Sequence, residues 1–312
     1  MENNILGIHH ITAIAGPAQR NYDFYAKLLG LRFVKKTVNF DDPGTYHFYF
    51  GDEKGTPGTI LTFFPWPFAR RGTNGIGMVT GIGYSVPAAS LEFWKKRFEE
   101  NDVKHEQPIE KFGETVLPFE DPDGLKLYLV IPQNEDKRKP WETNDIRSDV
   151  ATRGFHSIKL TVRNVQPTAD VLTNIFGYRL LKQEDNNYRF VTDAIETANI
   201  VDIIEEPNGR PGNTAAGTNH HVAFRVKNEE VQMAIREKVI AHGLNITPQI
   251  DRNYFFSLYF REPGGVLFEI ATDNPGFAVD EAVNELGTHL KLPSQYESQR
   301  PQIEKVLPEL AQ

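Results

Sequence analysis

Two doubled histidines, His9-His10 and His220-His221, each open a stretch that reads as a β-strand, and Glu269 closes a later strand of the chain's second half. Imidazole and carboxylate are the side chains that hold many transition-metal ions. Successive side chains on a strand point to opposite faces, so one imidazole at most of each pair is expected to face a shared ion. Two pairs and one glutamate then make a 2-His-1-carboxylate set, the triad that holds one face of a non-haem Fe(II) and leaves coordination positions open.

The elements that must position these groups repeat along the chain. An apolar strand from Ile8 to Ile14 is followed by Asn21-Tyr22-Asp23-Phe24-Tyr25, with helical spacing, and by Leu29-Gly30-Leu31-Arg32-Phe33. A later segment echoes it: Phe155 to Val162 reads as a strand, Ala169 to Ile175 as a helix, and Phe176-Gly177-Tyr178-Arg179-Leu180 as the stop. Glycine there suits the left-handed residue that ends a helix. Two further segments have helical spacing over Ser90 to Asn101 and Glu229 to His242, then turns at Glu120-Asp121-Pro122-Asp123-Gly124 and Arg261-Glu262-Pro263-Gly264-Gly265, then apolar strands. This predicts an α+β chain of four βαβββ modules. The polar run Gln133 to Asp149 is the expected linker between two halves.

Aligning the modules on Ala15, Val86, Val162 and Val226 places His10, Gly81, Ser157 and His221 at one position, five residues upstream. The last-strand position falls on Thr62, Tyr128 and Glu269 in modules one, two and four, and is ambiguous in module three, where Asp202 is near. Only modules one and four therefore carry ligand chemistry, through His10, His221 and Glu269. Modules two and three are expected to be metal-free. His156, one place off this register, is expected to pack or line a pocket, and His47, His105 and His242 to be solvated.

Composition narrows the partners. With 34 Lys and Arg against 42 Asp and Glu the formal charge is -8, which disfavours nucleic acid. No stretch approaches the roughly 18 apolar residues of a membrane span, so a soluble, cytoplasmic protein is expected. The chain has no cysteine, which excludes disulfides, thiolate metal sites and cysteine nucleophiles.

The repeat and its ligand positions resemble the vicinal-oxygen-chelate (VOC) superfamily of glyoxalase I, extradiol dioxygenases and fosfomycin and bleomycin resistance proteins. Four separated motifs, Gly7-Ile8-His9-His10-Ile11-Thr12, Asn219-His220-His221-Val222-Ala223-Phe224, Pro263-Gly264-Gly265-Val266-Leu267-Phe268-Glu269 and Leu286-Gly287-Thr288-His289-Leu290-Lys291, resemble hydroquinone ring-cleaving dioxygenases of the MhqO/MhqA and PcpA/LinE type. The resemblance implies modules paired into two curved open barrels. VOC domains are expected over 1–132 and 151–273, with a linker at 133–150 and a tail at 274–312. It also implies Fe(II), with Mn(II) as an alternative ion, on His10, His221 and Glu269. His9, Thr12 and His220 fall where the family has groups that back the ligands, and Arg252 and Tyr259 match residues lining its substrate pocket. On that basis Tyr259 is expected to donate a proton or hydrogen bond, Arg252 to stabilise negative charge, and His9 or His220 to accept the substrate proton.

The implied activity is ring opening of a small hydroquinone-type aromatic with O2, in aromatic catabolism or detoxification, with a homo-oligomer left open. Three other functions compete. A glyoxalase-type isomerase would need a fourth protein ligand where Thr62 stands, a non-catalytic aromatic- or drug-binding protein would not need the triad, and a catechol-cleaving enzyme would differ in pocket shape.

Overall fold

The computed structural model describes residues 5–312, and within them each module contributes four strands. Module one holds β1 (Ile8–Ala15), β2 (Arg32–Asn39), β3 (Asp42–Gly51) and β4 (Ile60–Pro65); module two holds β5 (Met78–Ser85), β6 (Ile109–Lys111), β7 (Glu114–Glu120) and β8 (Lys126–Ile131). Module three holds β9 (Phe155–Val162), β10 (Arg179–Glu184), β11 (Asn187–Val191) and β12 (Ile200–Glu205); module four holds β13 (Thr218–Val226), β14 (Ile250–Asp251), β15 (Phe255–Arg261) and β16 (Leu267–Pro275). A helical segment follows the first strand of every module.

The helices expected at 90–101 and 229–242 form over Leu91–Glu100 and Glu229–Ala241. Trp94 and Phe98, four residues apart, bury one face of the first. The second starts at Asn228, whose side chain accepts from the Val231 amide as an N-cap. In modules one and three the helix is short, Ala18–Tyr22 and Val165–Asp170, and each continues as a wider π-turn before the glycine stop. Gly30 and Gly177 adopt φ of 68° and 75°, as the sequence pattern requires. No helix among the described residues is long and apolar enough to cross a membrane.

The strands make two eight-stranded sheets that cross the chain halves. One has the order β14-β15-β16-β13-β1-β4-β3-β2 and the other β10-β11-β12-β9-β5-β8-β7-β6. Modules one and four thus share a barrel through antiparallel β1 and β13, and modules two and three share the other through β5 and β9. The halves at 1–132 and 151–273 are not the two sheets, because each sheet takes one module from each half. His10 and His221 are brought together only by this pairing.

The tail fastens the first barrel. Lys35 of β2 is fully buried, and its Nζ lies 2.6 Å from both Asp280 and Glu281. Tyr254 beside β15 donates to the other oxygen of Asp280 at 3.0 Å. Removing one partner of a buried ion pair strands the other in low dielectric, so Lys35→Met is expected to cost about 3 kcal/mol. Urea denaturation checks this; a change below about 1 kcal/mol would place the tail outside the cooperative unit.

Candidate metal centre

Each doubled histidine sits on a β-bulge. Along β1 and β13, Ile8 faces Phe224 but His10 faces Ala223, which leaves His9 as the extra residue; Thr12 faces His221 but Ala13 faces Asn219, which leaves His220 as the other. A bulge re-aims its side chain, so strict alternation fails here. The rings of His9 and His10 touch, with Nδ1 atoms 2.9 Å apart, and those of His220 and His221 do the same at 2.8 Å. The first histidine of each pair backs the second instead of turning away.

The second histidines converge on Glu269. His221 Nε2 lies 2.8 Å and His10 Nε2 3.2 Å from Glu269 Oε2, and all three side chains are buried. That oxygen nevertheless accepts no well-directed hydrogen bond, although it is buried. Two lone-pair nitrogens and an orphaned carboxylate oxygen aimed at one point fit a metal ion better than one another. Among the described residues this is the one group of three such side chains whose ligand atoms lie within 4.8 Å of one another. The other carboxylate oxygen, Oε1, accepts from Ser257 Oγ at 2.5 Å.

The hydrogen bonds also set the tautomers. His9 Nε2 faces the Thr272 carbonyl at 3.1 Å and must donate to it, so its Nδ1 accepts from His10 Nδ1–H. His10 Nε2 is then left with its lone pair toward Glu269. In the other pair, ligation through a lone pair on His221 Nε2 would require the same order, with His221 Nδ1–H facing His220 Nδ1. Burial holds His9 well below the usual imidazole range and lowers His221. Burial alone would raise the Glu269 carboxyl, but His10 and His221 hold it well below its ordinary range. Neutral imidazoles and an ionised carboxylate are the states metal ligation requires.

The register reveals a pseudo-twofold site with one carboxylate missing. Thr62 pairs with Thr12 and Tyr49 as Glu269 pairs with Ala223 and Tyr259. Thr62 holds no ligand atom toward the triad; its Oγ1 bonds Thr12 Oγ1 at 2.8 Å and His47 Nε2 at 2.9 Å. His47, expected in solvent, instead lines the inner chamber, and Tyr49 donates to its Nδ1 at 3.0 Å. A lone histidine on an alternating strand carries no sign of this, although its place two residues before Tyr49 mirrors Ser257 before Tyr259. His105 and His242 bond only local carbonyls, of Val103 and Lys238.

The chamber in front of the triad has a volume of about 390 Å³ and is walled by aromatic rings, among them Tyr49, Phe64, Trp66 and Phe255. Arg252 and Tyr259 both line it, with Arg252 Nε donating to the Tyr259 hydroxyl at 3.3 Å. Burial, then the charge of Glu269, raises the Tyr259 hydroxyl above its ordinary range, so it stays protonated.

The second barrel repeats the architecture with a different filling. Its bulges fall at Thr80 and His156. Asp202 pairs with Lys159 as Glu269 pairs with Ala223, which places it at the carboxylate position left ambiguous by the sequence. Arg189, opposite it, binds both its oxygens at 2.8 and 2.9 Å. A built-in guanidinium thus neutralises this carboxylate. Arg189 also bonds Glu114, which pairs with His156 Nε2 at 3.0 Å. Burial would raise Glu114, but His156 and Arg189 take it from the ordinary 4.5 to about 2. Because this folded value is depressed, its contribution is complete above pH 4.5 and is lost as pH falls toward 2. In acid titrations followed by circular dichroism, Glu114→Gln is expected to be less stable than wild type at pH 7 and to converge with it at low pH; parallel curves would contradict this.

Curved βαβββ sheets joined in pairs around a buried His, His, Glu set define a metal-chelate barrel of the glyoxalase type. The chain belongs to the Glyoxalase/Bleomycin resistance protein/Dioxygenase superfamily, whose pattern matches residues 7–129 and 154–270. It is 48% identical over 307 residues to a Bacillus subtilis (strain 168) protein named as the ring-cleaving dioxygenase MhqO, covering 98% of this chain and 97% of that one. It is 34% identical to the chlorohydroquinone/hydroquinone 1,2-dioxygenase of Sphingobium indicum, covering 97% and 96%. A crystal structure described as a dioxygenase from Bacillus subtilis superposes with a TM-score of 0.95 at 47% identity, covering 99% of this chain and 98% of the other.

Ser257 gains a role that sequence reading did not assign. Losing a group that orients a ligand typically costs 10–100-fold in metal affinity. Ser257→Ala is therefore expected to weaken divalent-metal binding at this site by about tenfold or more, read by competition with a chelator; unchanged affinity would make the 2.5 Å contact incidental.

Proposed function

We propose that this protein is an Fe(II)-dependent ring-cleaving dioxygenase that opens hydroquinone-type rings with O2, with His10, His221 and Glu269 as the metal ligands. The observation that carries the reading is the orphaned, buried Glu269 oxygen facing two imidazole nitrogens across an aromatic-walled chamber. Fe(II) there supplies open positions and a path for electrons between an aromatic hydroxyl and O2. The chain's own residues bind and orient. Tyr49, Phe64, Trp66 and Phe255 form a slot for a flat ring. Tyr259, held protonated, donates to negative charge developing on the substrate, and Arg252 lies against it to stabilise that charge.

His9 has both nitrogens engaged, so its part is to orient His10. His220 lines the chamber with one ring nitrogen engaged, which leaves it, and not His9, as the candidate to take the substrate proton. An isomerase of the glyoxalase type is disfavoured because Thr62, at the fourth-ligand position, is tied to Thr12 and His47. Mn(II) would satisfy the same donor set, and comparing turnover after Fe(II) or Mn(II) loading separates the two. Oxygen uptake with a panel of hydroquinones and catechols tests the substrate; uptake with catechols alone would move the reading to a catechol-cleaving enzyme.

A further inference from the structure

A second cavity adjoins the metal chamber. Its volume is about 560 Å³, and it shares Trp66, His220 and Leu267 with the inner chamber, so these three side chains form the partition. It lies where the segments leading into β5 and β13 pair with each other, through Arg71 with Ala216 and Thr73 with Asn213.

The wall of this outer cavity is cationic in an acidic chain. Arg70 and Arg261 both line it, and no aspartate or glutamate does. Arg261 spends one nitrogen on the Gly265 carbonyl at 2.6 Å and feels the charge of its chain neighbour Glu262, but among the described residues neither arginine has a carboxylate within salt-bridge distance. The inner chamber also holds an arginine, Arg252, but that side chain already has a carboxylate partner in Asp41 at 3.4 Å and donates to the Tyr259 hydroxyl. An anion formed in the inner chamber therefore meets one guanidinium already paired with a carboxylate there, and two without a salt bridge in the cavity next door.

That difference in unpaired positive charge distinguishes a substrate from its product. Breaking the bond between a hydroxyl-bearing ring carbon and its unsubstituted neighbour places one atom of O2 on each carbon. The first becomes a carboxylic acid and the second an aldehyde. Each carbon gives up two electrons, which together reduce O2, and the acid releases its proton at neutral pH. A neutral diol enters and an anion leaves.

We propose that the outer cavity is a carboxylate-binding compartment, in which Arg70 and Arg261 draw the ring-opened acid past His220 and Trp66 and away from the metal. The release role rests on the ring-cleaving reading above; the carboxylate site does not. Guanidinium groups suit the task because they pair with carboxylates through parallel hydrogen bonds and stay charged at all relevant pH. Moving the anion out of the inner chamber frees the metal for the next ring, and release steps limit many enzymes.

The test uses sorbate, a six-carbon dienoate, as the anionic probe and sorbyl alcohol as its neutral counterpart. Binding to the Fe(II)-loaded protein without O2, and to the iron-free protein, is followed by calorimetry. In the Arg70→Gln/Arg261→Gln double variant, the sorbate Kd is expected to rise about tenfold or more, while the alcohol is unaffected. With hydroquinone and O2, kcat is expected to fall while kcat/KM holds, because release follows the committed step. Arg179→Gln/Lys182→Gln, which removes the same two charges from exposed positions on the other barrel, controls for overall charge.

Sorbate affinity that survives both arginine substitutions would overturn the proposal, as would equal losses for acid and alcohol. A kcat/KM that falls as far as kcat would overturn the release role. Arginine-dependent sorbate binding without oxygen uptake on any diol would leave the carboxylate site standing and sink the ring-cleaving reading. Uptake with arginine-independent binding would do the reverse.

Discussion

Glu269→Gln is expected to abolish metal binding and turnover while the barrel stays folded. Glutamine has the same shape, and its amide oxygen can still accept from Ser257, so packing around β16 is kept. What is lost is the one negative charge among the three proposed ligands. Imidazole ligates as a neutral donor, so without Glu269 nothing in the triad offsets the charge of a divalent cation. The loss should exceed the roughly 100-fold cost of removing an outer partner. Two readouts separate this from misfolding. Wild type should show a rise in Tm on anaerobic addition of Fe(II), because a ligand that binds the folded state stabilises it. The variant should keep the metal-free Tm and lose that rise. Retained iron at wild-type stoichiometry would remove Glu269 from the ligand set.

Tyr259→Phe is the second large effect, and it should act on chemistry alone. The hydroxyl lines the chamber, is held protonated by burial and by Glu269, and meets Arg252 at 3.3 Å. A donor aimed at developing negative charge contributes about 100- to 1000-fold to kcat. Tyr259→Phe should therefore lower kcat by about that factor with iron content unchanged. Arg252→Ala should give a loss of similar size, and the double variant should lose less than the product of the two, because the residues act as one unit. Full turnover in both single variants would remove them from the reaction. Tyr49, the counterpart of Tyr259 across the pseudo-twofold, donates to His47 instead. The difference follows from Thr62 standing where the second carboxylate would be.

The triad was readable from sequence because the repeat supplies its own ruler. His10, Gly81, Ser157 and His221 occupy one position in four modules, and two of them are imidazoles. The same ruler did not show which modules share a barrel, since β1 meets β13 across the length of the chain. Nor did it show the bulges. Strand alternation assigns His9 and His220 to the far face, whereas one extra residue in each strand turns them back against the ligands. Asp202 was ambiguous because no turn signal fixes the register of β12; once Arg189 is seen clamped on it, its kinship with Glu269 is plain. His47 was missed for a simpler reason: beside Tyr49 of its own strand, its burial comes from Thr62 and Phe64 on β4, partners that sequence distance conceals.

Oxygen consumption by anaerobically reconstituted protein tests the central claim most directly. Loaded with Fe(II) and given hydroquinone, the wild-type chain should consume one O2 per ring opened and yield an acidic product, while Glu269→Gln should consume none. Iron bound at His10, His221 and Glu269 with no uptake on any aromatic diol would contradict the account.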